Sequence, residues 1–327
     1  MPVILTIAFI QHKVMSMICS NPKRGAIAIL IVGAVLISFS GVWVETAHVS
    51  PTVSAFYRLF FGCLFLIPAS IIRREFAVKS LKKYLIATLS GLFFALDLYC
   101  WHKSIHYIGP GLATILGNFQ VFGLTLVGIL FFREKLRIVF VLSLPLAMLG
   151  LYLIIGINWD ILGSEYKTGI YYGLATAACY IGYLLTLRQL QSDRKDASHF
   201  FYMMIVSATA ALFLGGFMVI KDYSFAIPDT QSLLSLGALG FFSQFAGWVL
   251  IANTMPHIQA SRTGLILLLQ PALAFVWDVL FFARPTDLIN WAGVLLTMSA
   301  IYMGMVKNEN GSENEHEKLA QQRIDKD

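Results

Sequence analysis

Two stretches of the chain, GNFQVFGLTLVGILFFREKL at 117–136 and LLLQPALAFVWDVLFFARPT at 267–286, align at an offset of 150 residues. The alignment places Gln120 on Gln270 and Phe131-Phe132 on Phe281-Phe282, and further along it places Tyr152 on Tyr302. Each stretch is dominated by an apolar run close to the about 20 residues that a bilayer-spanning helix needs. The sequence therefore repeats itself, and the repeated unit contains membrane spans.

The rest of the chain has the same character. Of 327 residues, 57% are hydrophobic and 13% charged, with a mean hydropathy of +0.72; soluble domains carry about 25% charged residues. The ten-residue alternation of a membrane β-barrel is absent. Proline, glycine and charge divide the apolar runs into ten spans, at 25–44, 51–72, 83–105, 110–132, 136–156, 168–189, 199–220, 232–253, 259–283 and 288–306. The expected fold is an all-α polytopic membrane protein whose ten transmembrane helices form two five-helix repeats, 25–156 and 168–306. Residues 1–24 read as a cytoplasmic extension. Their apolar run is too short to span, and their basic residues follow it, the reverse of a signal peptide; Met15 or Met17 offers an alternative start. The polar tail 307–327 reads as disordered.

Five spans per repeat is an odd number, so the second copy must enter the membrane from the opposite side. Inverted repeats recur in secondary transporters, whose substrate sites lie near the midplane where the halves meet. Lysine and arginine set the orientation. With both termini cytoplasmic, 19 of the 24 basic residues fall inside. The outside segments hold Lys103, Lys167, Lys221 and Arg284, and Arg58 lies within a span. The net charge of +6 thus reflects topology and does not point to nucleic acid. Walker-type loops, HExxH, GxSxG and paired aspartates are missing from the sequence. Cys19, Cys63, Cys100 and Cys179 show no metal-binding spacing. A carrier is expected, with no cofactor and no metal. A membrane-embedded enzyme lacks its constellation, and a channel or sensor leaves the repeat unexplained.

Two local patterns connect the chain to a known family. HVSPTVSAFYRLFFG (48–62) sets a Ser-Pro pair about seven residues before an arginine, and FQVFGLTLVGILFFREKL (119–136) closes its span with Glu134. Both resemble the EamA-like, ten-span members of the drug/metabolite transporter superfamily. The sequence departs from the family pattern at Val121, where a proline is usual and which Pro271 keeps in the second half, and at Arg284, which stands opposite Glu134. The resemblance implies a solute carrier of the bacterial inner membrane without ATP-binding machinery. Its central cavity would be lined by spans 1, 3, 4, 6, 8 and 9, with spans 5 and 10 as scaffold. Such carriers move amino acids, nucleotide-linked metabolites, quaternary cations and drugs.

Ionisable residues inside spans are costly and mark candidate sites. Arg58, Asp97, Arg262 and Asp278 qualify. Arg58 and Asp97 both fall about 10–12 Å below the outer surface at 1.5 Å per residue, which suggests an ion pair. Two readings stay open: a fixed pair locking span 2 to span 3, or an Asp97 that receives a cationic group or a coupling proton. Trp101, four residues on, shares the Asp97 face and suits an organic cation. Gln120 and Gln270 hold matching positions in spans 4 and 9. Asn118 lies about 200° around the helix from Gln120, so the two cannot face one cavity squarely. Gln244 and Trp248 repeat the polar-plus-tryptophan spacing in span 8, and Trp43 and Tyr180 are the aromatic candidates in spans 1 and 6. Arg262 and Asp278, near opposite ends of span 9, are gate candidates, and Glu134 is a structural carboxylate at a helix end. The small residues of GIYYGLATAACYIG (169–182) serve close packing. The expected partners are a small-molecule substrate, the bilayer, and a proton or counter-substrate. The substrate expected is an amino acid or an amphipathic cationic metabolite such as S-adenosylmethionine. Efflux of drugs or toxic metabolites is the alternative.

Overall fold

A computed structural model describes residues 22–75, 80–155, 165–192, 198, 200–283 and 285–305. Residues 1–21 and the tail 307–327 lie outside the described residues. The described residues form helices and turns without a strand, as lipid demands of a chain that must satisfy its own backbone hydrogen bonds. The helices are α1 (Gly25–Glu45), α2 (Pro51–Ile72), α3 (Leu81–Ile108), α4 (Ala113–Leu130), α5 (Ile138–Ile155), α6 (Tyr166–Gln191), α7 (Phe201–Ile220), α8 (Thr230–His257), α9 (Ala260–Phe282) and α10 (Leu288–Met305). Among the described residues nine are long and apolar enough to cross a membrane, and α5 is a shorter apolar helix. Large apolar side chains such as Leu212, Ile220 and Leu288 are about four-fifths exposed, a surface suited to lipid.

The backbone keeps helical conformation residue after residue from Leu81 to Asn118, across the gap at 106–109 where spans 3 and 4 were expected to part, although Pro110 has no N–H to donate to the ladder. The chain nevertheless reverses there. Ser104 and Leu116 both lie against Gly173 of α6, so α3 and α4 descend side by side along that helix.

The two halves meet in a consistent pattern. α2 packs on α7, α4 on α9, and α5 on α10, while α1 lies on α8 and α9 as α6 lies on α3 and α4. Each like-numbered pair is antiparallel: Phe56 touches Gly215 while Cys63 reaches Met204, and Gly150 meets Thr297 while Ser143 meets Gly304. A two-fold axis in the membrane plane relates halves arranged in this way. The α5–α10 crossing is the closest of these contacts. A Cβ on Gly293 would lie 2.7 Å from the Gly150 carbonyl oxygen, and one on Gly150 would lie 2.3 Å from Thr297 Oγ1.

Irregularities in the helices follow the same symmetry. α4 breaks at Phe119 and α9 at Leu268, within one residue of equivalence at the 150-residue offset. α1 breaks at Phe39, and α8 carries a π-helical stretch, Leu239–Gly247. Among the described residues, four non-glycine residues adopt the left-handed conformation: Arg74, Arg133, Asp222 and Ala283. They end α2, α4, α7 and α9, where a left-handed residue lets the chain satisfy the last carbonyls. In the first half a glutamate follows each turn. Glu75 accepts from Ser198 Oγ and the Phe200 and Phe201 N–H groups at 2.8, 2.8 and 3.1 Å, capping the start of α7. Glu134 accepts from the Ala260 N–H at 2.7 Å and from Ser261 N–H and Oγ at 3.3 and 2.5 Å, capping α9. Each carboxylate thus sits on a helix N-terminus of the other half, where the dipole favours it. In the second half the equivalent positions hold Tyr223 and Arg284.

At the opposite end of the bundle, the end of α1 is tied to the start of α8. Asp229 caps α8 through the Ser232 N–H at 2.7 Å, and its Oδ2 lies 2.8 Å from His48 Nδ1. The His48 hydrogen bond, with help from the Ser232 N–H, holds the Asp229 carboxyl below the usual carboxylate range.

Two outcomes follow from these contacts. Gly293→Val should destabilise the protein in detergent by about 1–3 kcal/mol, the usual cost of overpacking; a thermal melt equal to wild type would show that the α5–α10 contact is loose. For Asp229, a depressed carboxyl contributes stability that is present above its unfolded value of about 3.9 and lost as pH falls through the lower folded value. The difference in melting temperature between wild type and Asp229→Asn should therefore be present at pH 5 and collapse only below about pH 4.

Candidate functional site

A cavity of about 350 Å³ opens between the halves. Its wall on α3 is Phe94, Asp97, Leu98 and Trp101, one helical face at the expected three- and four-residue spacing. α2 contributes Arg58, α6 contributes Thr176 and Tyr180, and α8 contributes Trp248. α1 and α4 enter beside their breaks, through Ser38 and Ser40 and through Gly117 and Asn118. α9 brings Gln270, Pro271 and Ala274, just past its break at Leu268. These residues run from mid-bundle toward the His48 end, where Gly41 is exposed. The other end is packed shut by the Glu134 cap, by Arg188 donating to the Ile258 carbonyl at 2.7 Å, and by Gln120 donating to the Gly264 carbonyl at 3.4 Å.

The cavity floor is aromatic. Phe94 stacks on Tyr183 with centroids 4.4 Å apart, and Trp248 meets both edge-on at 5.7 and 4.8 Å. Tyr180 flanks the group, 6.2 Å from Trp248. The Arg58 guanidinium lies over the Phe94 ring at 5.9 Å, a cation–π arrangement. Arg58 and Asp97 face the same cavity, yet no ion pair within 4.0 Å joins them. Of the two open readings, the fixed pair has no direct contact here: depth along two helices places charges on one level without bringing their tips together, and the guanidinium settles on the ring one turn before Asp97. Asp97 is 8% exposed. The Arg58 Nε, Trp248 Nε1, Gln270 Nε2 and Thr176 Oγ1 atoms, all on cavity-lining residues, are buried without a hydrogen-bond partner in the protein. The wall thus presents an acid, a base, unspent donors and an apolar floor.

Of the residues expected to contact substrate, the structure brings Asp97, Trp101, Gln270, Tyr180 and Trp248 together, with Arg58. Three do not line the cavity. Gln120 is fully buried against α9, since the break at Phe119 turns it toward the Gly264 carbonyl and leaves Asn118, on the opposite side of the helix, facing the cavity. Gln244, within the π-helical stretch, is spent on Ser207 Oγ at 2.9 Å. Trp43 stacks on Phe242, with centroids 6.1 Å apart, beside a separate apolar cluster. The gate candidates also lie elsewhere. Arg262 lines a recess of about 30 Å³ with Lys135, Arg137 and Gln259 at the Glu134 end. Asp278 is on α9 beyond the cavity wall, and Arg284 lies outside the described residues. Ser38, Ser40 and Thr176 escaped the sequence reading, and Asn118 entered it only as the residue that could not share a cavity with Gln120. Hydroxyl and amide residues in apolar runs give no distinct signal until helix breaks are known. Among the described residues, no group of three His, Cys, Asp or Glu is placed to hold a metal ion.

Comparison with known proteins adds to this geometry. The model of the EamA-like transporter family matches twice, over residues 24–156 and 167–305. An uncharacterized transporter of Haemophilus influenzae is 23% identical over 57% of this chain and 60% of its own length. The uncharacterized transporter YxxF of Bacillus subtilis is 20% identical over 89% of this chain and 93% of its own. The pseudopaline exporter CntI of Pseudomonas aeruginosa is 24% identical over 66% of this chain and 74% of its own. A solved crystal structure superposes with a TM-score of 0.72 at 16% identity, covering 86% of this chain and 98% of that one, which shows a shared fold. With two matches that together cover most of the chain, each over five of the ten helices, the protein belongs to the EamA-like transporter family.

Proposed function

We propose that the protein is a secondary carrier of the bacterial inner membrane, both termini cytoplasmic, that moves a metabolite bearing an amino-acid headgroup by alternating access. The observation that carries this reading is the separation of Arg58 and Asp97 across one cavity without an ion pair. Opposite charges facing a shared space suit a zwitterion, with the guanidinium taking a carboxylate and Asp97 an ammonium group. Unspent donors on Gln270 and Thr176 suit further polar atoms, and the floor of Phe94, Trp248 and Tyr180 suits an apolar or sulfonium-bearing remainder. Amino acids and S-adenosylmethionine share this chemistry. A cavity of about 350 Å³ lies within the ~300–1,000 Å³ range of small-molecule sites. Export is the second reading, favoured by the likeness to the pseudopaline exporter; in that direction the same cavity would release its cargo at the His48 end.

Uptake and efflux of a panel of radiolabelled metabolites, in cells and in inverted vesicles, tests both substrate and direction. Compounds with free α-amino and α-carboxyl groups should be transported, and their deaminated or amidated analogues should not. Asp97→Asn and Arg58→Gln should each lower apparent affinity about 10- to 100-fold, the equivalent of one charged hydrogen bond of about 1.5–3 kcal/mol. Unchanged transport and unchanged pH dependence in Asp97→Asn would remove Asp97 from the mechanism.

Alternating access further requires the Glu134 cap to open. Glu134→Gln should raise the labelling rate of a reporter Thr263→Cys, in a background without other cysteines, by about tenfold, the population shift that one charge-assisted bond supports. A rate equal to that with Glu134 intact would show that the cap does not hold this end closed.

A further inference from the structure

Two of the four basic residues that break the inside-positive pattern, Lys103 and Lys221, meet in one place. They line a second cavity, of about 490 Å³, between α2, α3 and α7 at the His48 end. His102 and His106 join them, so one recess gathers two lysines and two histidines, and no carboxylate lines it among the described residues. On α3 these residues occupy the side opposite Asp97 and Trp101, so the recess is separate from the central cavity. Its floor is apolar and aromatic. Leu214 is buried beneath it, and Tyr99, Phe217 and Tyr223 form a ladder with centroids 5.1 and 6.3 Å apart.

The inverted repeat shows what such a recess is shaped to receive. Across the pseudo-two-fold axis, Glu75 follows a left-handed turn and lays its carboxylate on the start of α7. The equivalent turn ends α7 at Asp222, and the residue after it is Tyr223, whose N–H closes the turn on the Met218 carbonyl at 2.9 Å. The start of α2 therefore receives no carboxylate from that turn. Ser50, its N-cap residue, makes no side-chain cap hydrogen bond, and Ser50, Pro51 and Thr52 line the recess. The place that an anion of the protein fills in one half is, in the other half, ringed by lysine and histidine.

We propose that this recess binds the phosphate headgroup of an acidic phospholipid from the leaflet at the His48 end. A volume of about 490 Å³ exceeds what a carboxylate needs. The flank of α7 beside it, with Ile220 80% exposed about a quarter-turn from the Phe217 and Lys221 face, offers a track for acyl chains. Lysines near a membrane surface attract anionic lipid, and tyrosine settles at headgroup level. The bound headgroup would clamp α2 and α7, the helices that the Glu75 cap joins at the other end.

The test uses the full-length protein in nanodiscs of phosphatidylcholine carrying a minor fraction of phosphatidylglycerol, with bound lipid counted by native mass spectrometry. Wild type should retain phosphatidylglycerol in preference to phosphatidylcholine. Lys103→Gln/Lys221→Gln should reduce that preference about 25-fold, at about fivefold per lysine, while melting as wild type does in pure phosphatidylcholine. Lys167→Gln, a control on the same side outside the recess, should leave the preference intact. Equal retention of the two lipids by wild type, or an undiminished preference in the double variant, would overturn the proposal. So would stabilisation by glycerol phosphate in detergent with no lipid preference, which would mark a site for soluble anions.

Discussion

Antiparallel packing of each helix against its own counterpart is the constraint on which this molecule rests. α2 on α7, α4 on α9 and α5 on α10 are the three such contacts, part of a wider interface between the halves. Lipid supplies no hydrophobic drive between helices, so close approach must supply the attraction. The glycine pair at Gly150 and Gly293 brings backbones together at the scaffold crossing. The central cavity opens among α1, α2, α3, α4, α6, α8 and α9, away from the α5–α10 crossing. Rigidity at one side of the bundle and room at the other come from the same repeat.

Most of the architecture was legible because each span is long, apolar and fenced by proline, glycine or charge. The repeat could be read from Gln120 and Gln270 with their trailing phenylalanine pairs, and odd span number then forced the inversion. The corner between α3 and α4 was harder to place, since glycine and proline mark a turn without saying that the residues on either side stay helical right up to it. At the cavity, Asp97 and Trp101 were legible because a carboxylate in an apolar run stands out and helical spacing fixes its neighbours. Gln120 was misread for a physical reason. The same break that occurs in both α4 and α9 points Gln270 into the cavity, while in α4 it points Asn118 there and buries Gln120. Matching positions in a repeat share backbone geometry; they need not share a partner.

Glu75 gave no signal at all in the sequence, being one charge among several beyond the end of a span. Only the fold shows that it does for α7 what Glu134 does for α9. The two carboxylates make one end of the bundle a place where first-half acids cap second-half helices. Arg188, over the Phe132 ring at 4.9 Å, closes that end further. The aromatic floor and the wall of unspent donors lie beyond this closure, so the cavity is reached from the other side.

The uneven filling of those left-handed turns has an energetic meaning. An inverted repeat with identical halves would give two end states of equal free energy, each the other turned over. Glutamate after the turns of α2 and α4, but tyrosine and arginine after those of α7 and α9, lifts that degeneracy. In the alternating-access carrier proposed above, the empty protein would then favour one orientation, and a solute approaching from the other side would meet a binding-competent form at only a fraction of the total, its apparent affinity there weakened by the same fraction. Any sidedness of such a carrier would arise where the two halves of the sequence have stopped being copies of each other.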